Sequence, residues 1–331
     1  MQRGGRRLVW HTMQSILGRP LPGEVHLSRT VVRGIVGLIL IAGLGFRLAS
    51  ASTVVVPDAF STVQLAIDSG ADTVLIREGI YRERPVVDHA VVLQGVGMGN
   101  RPRLDGLQIF NTNFWANLLS VSRVAFSGRV EHMTLYVHPR NLVFAFSDCS
   151  LDSGFYQVRY LDADDVASLT IRSSHLGGGS RARADWIVMD ADTIDGGVSW
   201  NAGDVSIVHC WFRGGPGAAI ELYSGELRGG SSHNMIEHYD TGIYIEEIGS
   251  ACAIDENTIS MCGAGILVNG GYSVDIEGND IRDCGTGIDV NVGEVTVVGN
   301  TILRAGGDGI VGHHGNLLVA SGGCAPFLGQ R

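Results

Sequence analysis

Apolar and polar side chains alternate over short stretches in the C-terminal part of the chain. Val274 and Ile276 alternate with Asp275 and Glu277, so the even-numbered positions are apolar and the others are charged. Successive side chains of a β-strand point to opposite faces, and this alternation therefore predicts a short strand with one buried face. A Gly-Asn pair follows at 278–279, and both residue types favour turns. The stretch predicts a strand that ends at a tight corner.

This unit repeats along the chain. Four asparagines are each followed two residues later by isoleucine, at intervals of 23, 22 and 21 residues, and each leads into a Gly-Ile step. They are Asn234, Asn257, Asn279 and Asn300. A unit of this length is too short for two helices and a turn, so it predicts one coil of a β-solenoid with about three short faces. Stacked coils place equivalent asparagines above one another, where their side chains are expected to form a hydrogen-bonded ladder.

A weaker form of the repeat extends upstream. Aligned strands place Cys149, Ser174, Asp192 and Cys210 at the same corner as the asparagines, with spacings of 25, 18 and 18 residues between them. The sequence therefore predicts about eight stacked coils, and strands of neighbouring coils are expected to pair in parallel. The expected fold class is all-β, with a single-stranded parallel solenoid as its architecture.

The segment before these coils predicts a short helix and two strands. Ser61-Thr62 precedes an apolar pattern at residues 63–67, which is typical of a capped amphipathic helix. Strands are expected at 72–76 and 91–95. An amphipathic helix at the open end of a solenoid covers exposed core and strand edges, so we expect this helix to cap the molecule.

This N-terminal segment, together with the Asn and Gly repeats, resembles the right-handed parallel β-helix proteins of the pectin-lyase-like superfamily. The resemblance is carried by Phe60-Ser-Thr-Val-Gln-Leu-Ala-Ile-Asp68, Asp72-Thr-Val-Leu-Ile76, Glu78-Gly-Ile-Tyr-Arg-Glu83 and Val92-Leu-Gln-Gly95. It covers roughly residues 53–324 and implies a right-handed parallel β-helix. The superfamily includes pectate and pectin lyases, methylesterases, polygalacturonases, other polysaccharide lyases, phage tailspikes and exported repeat proteins, so the resemblance implies no single activity.

Three regions are expected along the chain. Residues 1–51 predict a leader: an apolar run at 35–46 follows two arginines, and Ala49-Ser-Ala51 predicts cleavage after residue 51. An uncleaved membrane anchor is the alternative. Residues 52–105 should form the cap and first coils, and 106–331 the remaining coils. No cap is recognised at the C-terminal end, which predicts either truncation or an end-to-end partner. The leader predicts export to the periplasm, the cell surface or the medium.

Charge narrows the range of partners. The 331-residue chain has 24 basic and 34 acidic side chains and a net charge of −10, and every basic residue apart from histidine is arginine. An acidic surface disfavours general binding to nucleic acid, and contact with a membrane is expected only through an uncleaved leader. The absence of lysine excludes Schiff-base chemistry and a P-loop phosphate site.

Cysteines and acidic residues raise two further questions. Cys262 and Cys284 each lie five residues after a ladder asparagine, so they are expected to stack in adjacent coils as a disulfide or as two buried thiols. No CxxC pair predicts a zinc site, and no cofactor is identified. Acidic residues in the last coils could hold Ca²⁺ through oxygen ligands, the alternative being ordinary solvated side chains.

Candidate catalytic residues fall in neighbouring coils of the central part of the chain. They are Arg159, Asp162, Asp164, Asp165, Arg172 and Asp190. Elimination next to a uronate carboxylate needs a base and a group that neutralises the carboxylate, which such a cluster could provide. The alternative is that these are solvated polar positions. Candidate ligand-binding residues are Arg181 and Arg183, in a loop beside the cluster, and Trp186 and Trp200, which either stack on sugars or fill the core.

Two hypotheses for function remain. The first is an exported solenoid with a structural or carbohydrate-binding role, and without an intact catalytic set. The alternative is a polysaccharide lyase or glycoside hydrolase that acts on acidic polysaccharide through the Arg/Asp cluster. A polygalacturonase-like site is disfavoured because Asp164-Asp165 and Gly312-His313-His314-Gly315 are about 150 residues apart, whereas the two carboxyl groups of a glycosidase lie within about 10 Å.

Overall fold

The computed structural model describes residues 52–111, 118–135, 142–160, 166–223, 228–246, 248–314 and 316–320. Three parts of the chain for which the sequence makes predictions lie outside the described residues. They are the predicted leader at 1–51, the candidates Asp162, Asp164 and Asp165, and the chain beyond residue 320. The helix and the first strands are, in chain order, β1 (Thr53–Val56), α1 (Val63–Asp68), β2 (Thr73–Arg77), β3 (Ile80–Tyr81), β4 (Val86–Val87), β5 (Val91–Val96), β6 (Arg103–Leu104), β7 (Leu107–Asn111), β8 (Leu118–Ser122), β9 (Ala125–Phe126), β10 (Val130–Leu135), β11 (Val143–Ser147), β12 (Ser150–Leu151), β13 (Phe155–Tyr160), β14 (Val166–Arg172) and β15 (His175–Leu176).

The remaining strands continue the same order and include four long ones that bend from one face of the molecule to the next. They are β16 (Ser180–Asp190), β17 (Thr193–Ile194), β18 (Val198–Val208), β19 (Trp211–Tyr223), β20 (Arg228–Ser232), β21 (Met235–Glu246), β22 (Ile248–Asp255), β23 (Thr258–Ser260), β24 (Ala264–Asn269), β25 (Gly271–Glu277), β26 (Asp280–Arg282), β27 (Thr286–Val292), β28 (Glu294–Val298), β29 (Thr301–Leu303), β30 (Ile310–Gly312) and β31 (Asn316–Ala320).

The strands form a solenoid of about ten coils with three faces. A coil runs through a strand of sheet I, a corner, a strand of sheet II, a second corner and a strand of sheet III. In one coil these are β25, β26 and β27, and they pair in parallel with β28, β29 and β30 of the next coil. The predicted parallel solenoid is therefore confirmed, and it extends further toward the N-terminus than the eight coils expected.

The core is a column of inward side chains from all three sheets. Ile236, Ile259 and Ile281 are directly paired in successive coils of sheet II, and all three have no exposed surface. Their neighbours along each strand point outward, as the alternation of apolar and polar residues predicts. Burial of such a side chain contributes about 1.5–3 kcal/mol, so the stacked aliphatic column is a main source of stability.

From Asp148 onward, the first corner of each coil consists of a residue with a left-handed backbone followed by an inward polar or thiol residue. His233 and Glu256 adopt φ of 56° and 53°, and Gly278 and Gly299 occupy the same place at 65° and 66°. Non-glycine residues adopt this conformation at some cost. Here the cost is offset by the hydrogen bonds that the following residue makes.

Hydrogen bonds join the four corner asparagines in one file. The side-chain amide of each donates to the carboxamide oxygen of the next, at 2.9 Å for Asn234 to Asn257, 3.0 Å for Asn257 to Asn279 and 2.9 Å for Asn279 to Asn300. Each oxygen also accepts the backbone N–H of the preceding ladder residue, and each amide donates to a carbonyl of the coil before. Buried polar groups are thereby paired across coils.

The same corner is occupied by other polar residues upstream. The carboxylate of Asp192 accepts the backbone N–H of Ser174 at 2.8 Å, and the hydroxyl of Ser174 accepts the backbone N–H of Cys149 at 3.1 Å. Asp192 is 2% exposed, and its burial raises its pKa to about 7. The buried carboxyl group thus occupies a place that an amide fills in later coils.

The Gly-Ile steps have a steric cause. A Cβ added to Gly242, Gly265 or Gly287 would lie 2.5, 2.6 or 2.3 Å from the carbonyl oxygen of the equivalent glycine in the next coil, the last being Gly309. Such a distance is too short for any side chain, so the close stacking of sheet III requires glycine at each of these positions.

Helix α1 begins after Thr62, whose hydroxyl accepts the backbone N–H of Leu65 at 3.2 Å. The carboxylate of Glu83 accepts the N–H groups of Val63 and Gln64 at 2.8 and 3.1 Å, so a second side chain pairs free donors of the helix start. The helix buries Val63, Ala66 and Ile67. That it shields the end of the solenoid stays a prediction. Among the described residues, no helix has the length and apolar character needed to cross a membrane.

The cysteines of the described residues are buried thiols. Cys262 and Cys284 lie at the second corner of adjacent coils, are 4% and 3% exposed, and are not joined in a disulfide. The thiol of Cys262 donates to the carbonyl of Ser260, and the hydrogen bond with Cys284, together with burial, raises the pKa of Cys262. Of the two alternatives, the structure contains the thiol pair.

Candidate functional site

Five outward side chains form a continuous file along sheet III, which we call the outward file. They are Tyr156, Arg181, Ser199, Glu221 and Tyr244. Direct register pairs link each member to the next: β13 to β16, β16 to β18, β18 to β19 and β19 to β21. Because neighbouring coils are about 4.8 Å apart, the file presents one side chain per coil along the molecular axis.

The outward file forms the floor of an open cavity of about 540 Å³. One wall is the turn that precedes each strand of sheet III, with Gly179, Gly197 and Gly217 contributing no side chains and Pro216 and Ala218 only small ones. Gly217 has φ of 78°, which favours glycine. The result is a shallow groove that runs across several coils and is open to solvent.

Neighbouring side chains hold the members of the outward file in place. The guanidinium carbon of Arg129 lies 4.6 Å from the ring centre of Tyr156, a cation–π distance. Arg181 donates from Nε to the hydroxyl of Tyr223 at 3.2 Å. Asn269 donates to the hydroxyl of Tyr244 at 3.3 Å, and burial raises the pKa of this tyrosine. The rings of Tyr156 and Tyr244 are therefore each in contact with a polar side chain from an adjacent coil.

Charge is distributed unevenly along the groove. Arg129, directly before β10, and Arg181 and Arg183 of β16 lie toward the N-terminal end, whereas Glu221 and Glu246 lie on later strands. Arginine is the side chain best suited to bidentate contact with a carboxylate. An anionic group of a ligand is therefore expected to bind near Arg181, and hydroxyl groups near Glu221.

The structure places the four predicted ligand-binding residues in three different environments. Arg181 belongs to the outward file, and Arg183 is exposed two residues further along β16. Trp186 is 53% exposed at the bend where β16 passes from sheet III to sheet I. Trp200 has no exposed surface and donates from Nε1 to the sulfur of Met189 at 3.3 Å. Stacking of Trp200 on a sugar is therefore wrong, because its ring fills the core.

The predicted catalytic cluster is divided between two sheets where it is described. Arg172 and Asp190 are register partners in sheet I, and Asp190 contacts the ring of His209 at 3.2 Å. Arg159 is part of β13 in sheet III, paired with Thr134. Arg172 and Asp190 thus do not belong to the strand segments that carry the outward file.

Sequence reasoning missed four of the five members of the outward file. Tyr156, Ser199, Glu221 and Tyr244 are separated by 43, 22 and 23 residues, and the coils between them differ in length. Glycine precedes sheet III in the earlier coils as well, at Gly154, Gly179 and Gly197, but the spacing between these glycines varies and no asparagine accompanies them. Only the register of the strands shows that these side chains are adjacent. The signal available was the alternation within residues 218–223 and 241–246, which places Glu221 and Tyr244 outward.

In the part of the chain that the structure describes, no group of three or more His, Cys, Asp or Glu side chains is arranged to hold a metal ion. His313 instead contacts the carboxylate of Asp289 at 3.3 Å. Ca²⁺ binding stays a prediction.

The fold and the comparisons agree on the class: this is a right-handed parallel β-helix protein. The family model for the right-handed beta helix region matches residues 194–322. Among solved structures, the A-module of the mannuronan C-5 epimerase AlgE4 of Azotobacter vinelandii is similar in fold, with 15% sequence identity and a TM-score of 0.50 over 78% of this chain and 90% of that one. Curated proteins provide no significant match.

Proposed function

We propose that this protein is an exported carbohydrate-binding solenoid, and that its groove on sheet III binds a linear acidic polysaccharide. The observation that carries the proposal is the outward file itself: two tyrosines, an arginine, a serine and a glutamate on successive coils, on the floor of one open cavity. A polymer that lies along the molecular axis would meet Tyr156, Arg181, Glu221 and Tyr244 in turn, whereas the hydroxyl oxygen of Ser199 is buried beneath it.

The chemistry of the file suits a sugar acid. Tyrosine rings offer an apolar face with a polar edge, which fits the C–H face and the hydroxyl rim of a pyranose. The guanidinium of Arg181 can bind a uronate carboxylate with two hydrogen bonds, and Glu221 can accept from ring hydroxyls. Binding sites commonly combine such a concave surface with a few convergent polar groups.

Isothermal titration of the full chain with oligomers of uronic acids tests this proposal. We expect Arg181→Ala to weaken binding by roughly tenfold or more, since a charge-assisted hydrogen bond is worth about 1.5–3 kcal/mol. The matched control is Arg172→Ala, which removes the same exposed side chain from sheet I and should leave affinity unchanged. Equal losses in both variants, or binding that is insensitive to Arg181→Ala, would contradict the assignment of the groove.

We also propose that the protein is exported, and this part of the proposal is supported by the leader-like sequence at 1–51. An apolar run followed by an Ala-x-Ala site directs secretion and cleavage. Fractionation of expressing cells and N-terminal sequencing of the exported form test it, with a new N-terminus at Ser52 as the expected result. Retention of the intact chain in the cytoplasm would refute export.

A second candidate function is catalysis in the same groove. Arg181, Glu221 and Tyr244 are ionisable groups on neighbouring coils that could abstract and return protons beside a uronate carboxylate. Among the residues that the structure describes, Glu221 is the one carboxylate that lines this cavity, whereas a glycoside hydrolase needs two. Elimination by a lyase therefore fits the groove better than hydrolysis.

Incubation with uronate polymers, with and without Ca²⁺, separates the two functions. Binding without any unsaturated product or new reducing ends supports a binding solenoid. Ultraviolet-absorbing product that disappears in Tyr244→Phe supports a lyase in the groove. Product that disappears in Arg172→Ala but persists in Arg181→Ala would move the chemistry to sheet I and overturn the placement of the site.

A further inference from the structure

A second group of polar side chains lies on the outward side of sheet II. We call it the serine cluster, and its members are Ser150, Asp152, His175, Asp195 and Arg213. Ser150 and His175 are register partners in β12 and β15, and Asp195 directly follows β17 in the next coil. All five lie in or next to strands that are paired on both sides, so their backbone positions are fixed by the coil stacking.

The imidazole of His175 connects a hydroxyl to a carboxylate. Its Nε2 is 2.7 Å from Oδ2 of Asp195, and its Nδ1 is 3.5 Å from Oγ of Ser150. A carboxylate only accepts hydrogen bonds, so Asp195 selects the tautomer with the hydrogen on Nε2. The lone pair of Nδ1 then faces the hydroxyl of Ser150, which is the arrangement of a general base beside a nucleophile.

Asp195 is held in its ionised form by two neighbours. Arg213 donates from Nε to its Oδ1 at 2.6 Å, while His175 donates to its Oδ2. Burial opposes ionisation of this carboxyl, but the hydrogen bonds from His175 and Arg213 outweigh burial and lower its pKa. A permanently charged carboxylate is what stabilises an imidazolium during proton transfer.

Ser150 also contacts a second carboxylate. Its hydroxyl donates to Oδ1 of Asp152 at 2.7 Å, and Oδ2 of Asp152 accepts from Arg103 at 3.1 Å. A hydroxyl hydrogen rotates freely about the Cβ–Oγ bond, so the same oxygen can donate to His175 instead. Asp152 therefore holds the hydroxyl in a resting orientation that competes with activation.

The serine cluster adjoins a cavity of about 600 Å³ on the N-terminal side. Ser150 and Asp152 line it together with Asn100, Arg101 and Arg103. Because Ser150 lines the cavity, a ligand there can reach its hydroxyl, and the ring of His175, which is 35% exposed, lies 3.5 Å from that hydroxyl. Arginine N–H groups at this cavity are donors of the kind that stabilise an oxyanion.

We propose that Ser150, His175 and Asp195 form a catalytic triad that hydrolyses short acyl esters in this cavity. Ser150 Oγ attacks the acyl carbonyl carbon as its proton passes to His175 Nδ1. The ester C–O bond then breaks, and the leaving alcohol takes that proton from His175. Water, deprotonated by the same nitrogen, attacks the acyl-serine and releases the carboxylic acid, which restores the Ser150 hydroxyl. Asp195 and Arg213 are positioning residues in this sequence.

The test uses the full chain with para-nitrophenyl acetate as substrate and a fluorophosphonate as covalent probe, with peptide mapping by mass spectrometry. Modification at Ser150 is the expected result on the unaltered protein. Ser150→Ala and His175→Gln should each slow nitrophenol release by roughly 100-fold or more. Asp152→Asn should accelerate it, because the amide competes less strongly for the hydroxyl. Ser147→Ala, which alters an exposed serine of sheet I, is the matched control and should change nothing.

Two further readouts distinguish catalysis from a structural role. In the unaltered protein, the rate of nitrophenol release should rise with pH as one group loses its proton. In His175→Gln this rise should be lost, while the melting temperature of the variant should equal that of the unaltered protein. Probe that modifies no serine, or modifies Ser147 as fast as Ser150, would overturn the triad. A slower rate in Asp152→Asn would also overturn it, because the competing role given to Asp152 would then be wrong.

Discussion

Asp192 places a buried carboxyl group at the corner that asparagine occupies in later coils, and it makes an equivalent hydrogen bond there. Asp192 lies at the ladder corner, accepts the backbone N–H of Ser174, and is almost fully buried. Burial disfavours the charged form of a carboxyl group, which is why its pKa is raised to about 7. At neutral pH this side chain is therefore close to half protonated in the folded protein, whereas it is ionised in the unfolded chain.

Stability should depend on pH through this residue. The folded pKa of about 7 lies above the unfolded value of about 3.9, so the folded state binds the extra proton between these values. The free energy of unfolding contributed by Asp192 is then highest below about pH 4 and falls as pH rises toward 7, by on the order of a few kcal/mol. Asp192→Asn should remove this dependence and raise the melting temperature at pH 7.

Thermal melts of both proteins between pH 4 and pH 7 measure the effect. The expected difference in melting temperature grows as pH rises. The comparison between variants is needed because His132, whose pKa burial lowers to about 4, contributes the opposite slope in both proteins. A constant difference across this range would show that Asp192 does not titrate as described.

A pair of tryptophans offers a test of burial with matched chemistry. Trp200→Ala removes a fully buried ring and should lower the free energy of unfolding by about 3–5 kcal/mol. Trp186→Ala removes the same ring from a position that is 53% exposed, and should cost well under half of that. Urea unfolding followed by circular dichroism measures both. Similar losses would refute the division between core and surface.

At the scale of elements, the asparagine file ties each strand end to the next coil. Asn279, for example, makes three such hydrogen bonds. Its side-chain oxygen accepts the backbone N–H of Asn257, its side-chain amide donates to the carbonyl of Ile254, and its backbone N–H donates to the side-chain oxygen of Asn300. An unpaired buried group costs about 1–3 kcal/mol. The file therefore holds the turns together at a place where the chain changes direction.

Asn279→Ala should destabilise the solenoid by about 2 kcal/mol or more, because it leaves a buried donor and a buried acceptor without a partner. Asn316→Ala, at an exposed position of β31, is the control and should change stability by less than about 0.5 kcal/mol. Chemical unfolding monitored by fluorescence compares the two. Equal losses in the free energy of unfolding would show that the hydrogen bonds of the asparagine ladder do not stabilise the protein.

The sequence predicts where the strands lie, but it does not predict which residues point inward after a strand bends. In β16 the buried positions follow the even numbers from 180 to 184 and the odd numbers from 187, because Asp185 and Trp186 both face outward at the bend. The same shift occurs at Gly203 and Asp204 in β18. Alternation cannot show a bend that has no gap in the strand, which is why Trp186 and Trp200 could not be told apart.

At the scale of the whole molecule, the parallel solenoid was predictable and the groove was not. The period of the asparagines and the alternation of apolar residues depend only on local geometry, so they are visible in the sequence. The outward file depends on which residue lies beside which across coils of unequal length, and that is a property of the register. Sheet III therefore collects Tyr156, Arg181 and Glu221, which no motif connects.

The most direct test of the groove is a crystal structure of the protein with a bound uronate oligosaccharide. The account predicts sugar density along sheet III, parallel to the coil axis, with rings against Tyr156 and Tyr244 and a carboxylate on the guanidinium of Arg181. Density over sheet I beside Arg172 and Asp190, or an oligosaccharide that lies across the coils without contact to the outward file, would contradict it.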